Sequence, residues 1–369
     1  MNLSAPSIVS SDSKTSKQSV RDSSQSDMER WLPELVEIER LRAIAPSSCQ
    51  VSSLVDVKWN SLTFPVYSFS FGTKDLDAPV VVFLGGVHGL ERIGSRVVIS
   101  ALNTFLHLAT WDYFTQKNLE SMRVIFVPLV NPGGMYRGWR ANPNGVDLMR
   151  NSPIEAEDLP GVTLLAGHRF SPKIPWFRGV LGEPMEAESS AVISYLKNEI
   201  FKSRFACTLD VHSGFGIVDR LWFPFANSRH PFPYIAEVYA LKNLIDSTYP
   251  HHVYCIEPQS TQYTTHGDLW DYLYYEHKKD IASEELRLLP LCLELGSWAW
   301  IRKNPKQILS AAGIFNPILP HRNARIQRRH LVLFEFLLRA TRSFDHWARD
   351  GRDRRRELQR IALSHWYGQ

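Results

Sequence analysis

Cysteine is scarce in this chain. Its 369 residues include only Cys49, Cys207, Cys255 and Cys292, widely spaced and with no CxxC pair. That spacing excludes a zinc ribbon and does not suit a disulfide framework, so reduced and mostly buried thiols are expected. No run of about 18 apolar residues occurs, so no membrane-spanning helix is expected. The N-terminal stretch has no apolar segment of the kind a secretory signal needs, which predicts a cytoplasmic location. Charge of one sign is also in short supply, the formal net charge being +4. The dense charge run at 349–357 mixes both signs and reads as a solvated helix face rather than a nucleic-acid interface. No internal repeat and no Pro/Gly linker divides the chain.

Residues 1–27 are rich in Ser, Lys, Asp and Gln. Such a segment cannot bury enough apolar surface to offset its ordering entropy, so a disordered polar tail is expected. One domain should then span residues 28–348, followed by a basic C-terminal helix or tail at 349–369. Near-continuous apolar runs at 79–84, 123–130, 205–211 and 288–295 suit strands of a sheet covered on both faces. An alternating run at 67–71 suits a half-exposed strand. Helical patterns at 93–108, 186–201 and 233–248 lie between them, and a helix capped by Asn323 should run to about Ala348. Strands alternating with helices predict an α/β domain with a mixed, largely parallel sheet, helices on both faces and a helical C-terminal part.

Chemistry-bearing residues fall where these strands end. Gly85-Gly86-Val87-His88-Gly89-Leu90-Glu91 follows one apolar run and precedes a helix. His88 would leave the strand and Glu91 would lie near the first helical turn, so both side chains can point at one ion. Thr208-Leu209-Asp210-Val211-His212 ends a second strand with another histidine. Two His and one Glu form a catalytic zinc shell with a fourth position open. Glu294 sits in an apolar strand, where an uncompensated carboxylate is costly; it suits a general base. The loop at 131–151 follows a strand end, is rich in turn formers and carries Arg137, Arg140 and Arg150. Arginine there can stabilise an oxyanion or grip a carboxylate in bidentate fashion.

In this order the set resembles the zinc carboxypeptidase family. The family pattern runs H-x-x-E, an N-P-D-G loop with arginines, G-V-D-x-N-R-N, a strand ending in D-x-H-S, and a late strand carrying Glu. The chain follows it from residue 79 to about 300. The resemblance implies one Zn2+ per chain held by His88, Glu91 and His212, with Asp147 orienting His88. It further implies Glu294 as general base, Arg140 as the group that polarises the scissile carbonyl, and Arg150 as the binder of the substrate's terminal carboxylate. Arg137 is a further substrate-binding candidate. Tyr263 is the nearest match to a mobile catalytic tyrosine, with Tyr272, Tyr274 and Tyr275 close by.

Two positions depart from the pattern. The N-P-D-G turn reads Asn131-Pro132-Gly133-Gly134, and Met149 stands where the family has the Asn that shares the carboxylate with Arg150. The expected function is hydrolysis of a peptide or small amide bond next to a C-terminal residue. Alternatives are a deacylase or amidase acting on N-acyl amino acids or cell-wall peptides, or a non-catalytic binding module. After Gly267, Leu269 and Trp270 would favour an apolar substrate side chain, whereas Asp268 or Asp271 would favour a basic one.

Overall fold

A computed structural model of the chain describes residues 27–157, 164–281, 285–349 and 351–369. Residues 1–26 of the expected polar tail lie outside that range. Eight strands form one sheet: β1 (Cys49–Trp59), β2 (Leu62–Gly72), β3 (Val80–Gly85), β4 (Arg123–Val127), β5 (Ala206–Ser213), β6 (Asp219–Phe223), β7 (Tyr254–Pro258) and β8 (Leu288–Leu295). Their order is β1-β2-β4-β3-β5-β8-β6-β7. The centre β4-β3-β5-β8 is parallel. The flanks are mixed, since β1 pairs antiparallel with β2, β2 with β4 and β6 with β8, while β6 and β7 run parallel.

Every residue of β3, β4, β5 and β8 is buried. Only a sheet covered on both faces allows that, which is why these strands read as unbroken apolar runs. The helices Arg92–Trp111 and Pro320–Arg342 pack on each other and on β3 and β5; Ala187–Ile200 and Leu269–Asp280 form a second packed pair. Phe334 from the long C-terminal helix stacks on Phe83 of β3 with ring centroids 4.5 Å apart.

The structure differs from the expectations at several elements. β2 runs from Leu62, not Tyr67, and pairs with β1 through a tight turn in which Asn60 has φ 53°, a left-handed conformation that Asn tolerates. Asn323 does not cap the last long helix. That helix starts at Pro320, whose fixed φ suits a first helical turn, and a separate short helix covers Phe344–Trp347. The charged segment at 349–369 forms the helix Arg352–Tyr367, docked by Leu358 and Ala362. Arg355 pairs with Glu237 at 2.6 Å, and Trp366 Nε1 donates to the Ile256 carbonyl at 2.8 Å. All four cysteines are free; Cys207 and Cys292 are buried, Cys49 is half-buried and Cys255 is exposed. Among the described residues no helix is long and apolar enough to cross a membrane.

Candidate active site

Parallel pairing brings the C-terminal ends of β3, β5 and β8 to one edge of the sheet. In open α/β sheets ligands bind beyond that edge. β3 ends at Gly85, and Gly86 turns the chain with φ 68°. A Cβ on Gly86 would lie 2.8 Å from Leu129 Cδ1. His88 then leaves the strand, and Glu91 precedes the helix Arg92–Trp111. Gly94 lets that helix approach β5, since a Cβ there would sit 2.2 Å from the Val211 carbonyl oxygen. Arg92 secures the same turn by donating to the buried Glu34 and to the Met135 carbonyl. His212 stands opposite Glu294 in the β5–β8 register.

The three candidate ligands are buried and converge. His88 Nδ1 lies 2.8 Å from Glu91 Oε1, His212 Nδ1 lies 3.0 Å from Glu91 Oε2, and the two Nδ1 atoms are 3.1 Å apart. Those separations approach the edge, about 3.3 Å, of a tetrahedron with bonds of about 2.0 Å, the length of zinc–nitrogen and zinc–oxygen bonds. The far nitrogen of each imidazole meets a carboxylate. His88 Nε2 is 3.0 Å from Asp147 Oδ1, and His212 Nε2 is 2.5 Å from Asp210 Oδ2. Pairing with a carboxylate favours the tautomer that leaves Nδ1 free to ligate; His88 Nε2 also lies 2.9 Å from Arg140 Nη2. Asp210 is steadied in turn by the indole N–H of Trp270 at 2.9 Å.

Two histidines thus face Glu91, Asp147, Asp210 and Glu294, with Arg140 paired to Glu91 and Asp147. Burial opposes the charge on Glu91, yet His88 and His212 outweigh it and hold the carboxyl below its usual range. Asp147 is likewise held low against burial, by Arg140 and then His88. His212 is held well above the usual imidazole value, since Asp210 and Glu91 outweigh the cost of burial. Glu294 moves the other way: burial first, and then the nearby Glu91 charge, push it up to about 8. Its Oε1 accepts from the Phe215 amide at 3.0 Å. Arg140 donates to Asp147 at 2.9 Å and to Glu91 at 3.1 Å, so its guanidinium is fixed beside the ligands.

These residues open onto a cavity of about 630 Å³. Residues 53–308 match the family model for zinc carboxypeptidases. The chain belongs to the zinc carboxypeptidase family. Carboxypeptidase SOL1 of Arabidopsis thaliana is 21% identical over 280 residues, which cover 71% of this chain and 52% of that protein; the chain therefore spans about half the length of this relative. Among solved structures, thrombin activatable fibrinolysis inhibitor shares 17% identity at a TM-score of 0.59, covering 83% of this chain and 72% of the other. Carboxypeptidase A of Helicoverpa armigera shares 18% identity at a TM-score of 0.52, covering 79% and 71%. These likenesses establish the fold. The family binds zinc, and the His88–Glu91–His212 group fits that ion.

Most of the residues singled out in the sequence meet in this one zinc carboxypeptidase cavity. Its lining includes His88, Glu91, His212, Glu294, Arg140, Arg150, Met149 and Tyr263. Tyr263 packs on Phe215 and Trp222 at centroid distances of 5.6 and 5.8 Å. Tyr272, Tyr274 and Tyr275 instead lie on the helix Leu269–Asp280 and do not reach the lining. Arg137 is not brought to the cavity. Its guanidinium lies over Trp139 at 3.3 Å and Trp59 at 4.9 Å, and it donates to the Pro143 carbonyl. None of the four positions after Gly267 lines the cavity either. Asp268 caps its helix through the amides of Trp270 and Asp271, while Asp271 accepts from the amides of Ala226 and Asn227. Asp210 went unrecognised as a partner of His212. The period-2 geometry of a strand, which places Asp210 and His212 on one face, is the signal that reveals it.

Proposed function

We propose that this chain hydrolyses a peptide or small amide bond next to a C-terminal residue. The observation that carries this reading is the register of β5 and β8, which sets the candidate base Glu294 beside the ligand His212 at one mouth. Zinc held by His88, Glu91 and His212 would supply a Lewis acid that acidifies water and polarises a carbonyl. Glu294, opposite His212 in the cavity lining, stands where it can take a proton from water and return it to the departing nitrogen. Arg140, held by Asp147 and Glu91, presents a fixed positive charge to a developing oxyanion. Arg150 lines the cavity, and its guanidinium suits bidentate binding of an incoming carboxylate.

Met149 favours a second reading. It lines the cavity beside Arg150 and offers a thioether where an amide donor would help hold a terminal carboxylate. A deacylase or amidase with a looser demand for that carboxylate fits this position. Paired N-blocked dipeptides, one with a free terminal carboxylate and one amidated, separate the two. The carboxypeptidase reading expects the free acid to be cleaved at least about tenfold faster, the return on charge-assisted bonds of about 1.5–3 kcal/mol. Equal rates reject it in favour of the amidase. No turnover of either by the zinc-loaded chain leaves the binding-module reading.

A further inference from the structure

The net positive charge of the chain is not evenly spread. Residues 295–334 carry seven Lys and Arg side chains and no Asp or Glu, although the whole chain is only +4, so the remainder is net negative. This segment begins where β8 ends; its four arginines between 322 and 329 lie on the helix Pro320–Arg342, where Arg329 pairs with Asp219 at 2.9 Å, and its other three cations lie between 302 and 306. Trp298 and Phe315 are part of the cavity lining. Trp298 Nε1 donates to the Gly214 carbonyl at 2.9 Å, and Ser213 Oγ donates to the Phe315 carbonyl at 2.8 Å, so the rim is bonded to the strand end that carries His212. Arg302 and Lys303 on the helix Trp298–Lys303, and Lys306 on the next turn, are exposed.

The same sign continues inward. Arg229, Arg150 and Arg140 line the cavity; of its carboxylates, Glu91 meets His212 and Arg140, and Glu294 accepts from the Phe215 amide. A one-sign surface leading into a low-dielectric cleft concentrates ligands of opposite charge and speeds their arrival, in a salt-dependent way. Exposed Ile308 and Leu309 on this rim add apolar contact area between the cations.

We propose that the polypeptide accepted by this cavity is acidic upstream of its scissile bond, and that the 298–315 rim holds this acidic stretch. The proposal rests on the hydrolase reading for its orientation, but it can be tested without turnover. Fluorescence anisotropy on the full chain would compare labelled Glu-rich, Gln-rich and Lys-rich peptides of equal length at about 0.05 M and about 0.5 M salt. The Glu-rich peptide should bind roughly tenfold or more tighter than the Gln-rich one at low salt. That advantage should vanish at high salt and in the triple variant Arg302→Glu, Lys303→Glu, Lys306→Glu. Equal affinity for the Glu-rich and Gln-rich peptides overturns the proposal, as does an advantage that the triple variant keeps. Binding to phosphatidylserine vesicles without binding to the acidic peptide also overturns it and assigns the rim to a membrane surface. Acidic preference in a chain that cleaves no peptide would reject the hydrolase reading alone; cleavage without acidic preference would reject this proposal alone.

Discussion

The half of the cavity around the candidate zinc ligands and the half around Arg150 are held in different ways. His88 and His212 are each fixed by a carboxylate, Glu91 is fixed by both histidines and the Ser213 amide, and Arg140 bridges Asp147 and Glu91. Across the cavity, Met149 supplies no donor beside Arg150. The first half is built in advance for one ion, as preorganised sites require. The second leaves its hydrogen bonding to whatever the substrate brings. On the proposed function, metal chemistry would be the fixed part of this site, and substrate recognition the part free to differ from the family pattern.

The most severe way to break the comparison is His212→Ala. It removes a ligand, so zinc affinity should fall by more than the roughly 10–100-fold typical of outer-shell changes. Competition with a chromogenic chelator measures this. Acid tests the scaffold that supports both halves. Burial, first among the causes, lowers His277 and His330 to about 4. As pH falls below about 6.5 the unfolded chain takes up protons that the folded chain refuses, so stability is full above that value and is lost toward pH 4. Each histidine contributes up to about 3 kcal/mol, at about 1.4 kcal/mol per unit of pKa difference. Urea midpoints between pH 7 and 4.5 should fall accordingly; a flat profile would sink the claim.

Asp210→Asn should weaken zinc binding by about 10–100-fold while leaving Arg140 in place. Asp147→Asn should do the same and also lower kcat, because Asp147 anchors both His88 and Arg140. Identical kcat and zinc profiles for the two variants would contradict this division. The smallest effect is expected from Met149→Asn, which restores a donor beside Arg150. It should lower KM for a free-acid substrate by about 2–10-fold, matching one hydrogen bond of about 0.5–1.5 kcal/mol, and leave the amidated substrate unchanged.

The central strands were legible because burial on both faces writes an apolar run, and the candidate residues His88, His212 and Glu294 lie in or just after three of those runs. β1, β6 and β7 were not. β1 is a polar edge strand, partly exposed along its length, and β6 and β7 are five residues each. The segment 349–369 reads in the sequence only as a helix or a tail, because only Leu358 and Ala362 are buried on the helix Arg352–Tyr367, which leaves almost no apolar stripe. The inward face of the segment after Gly267 is not legible, because sequence does not say which way a helix turns. Its acidic residues are spent on backbone amides, Asp268 within its own helix and Asp271 on Ala226 and Asn227. Arg137 looked equivalent to Arg140 and Arg150, but the flanking Trp59 and Trp139 hold it elsewhere.

Glu294→Gln tests the account most directly, with zinc content and hydrolysis of an N-blocked dipeptide measured on the same preparations. The wild-type chain should carry about one zinc, and the variant should keep that zinc yet lose about 10²–10⁴-fold in kcat, the contribution of a positioned acid–base group. A zinc-loaded variant that hydrolyses the dipeptide at the wild-type rate would contradict the assignment of Glu294 as the base.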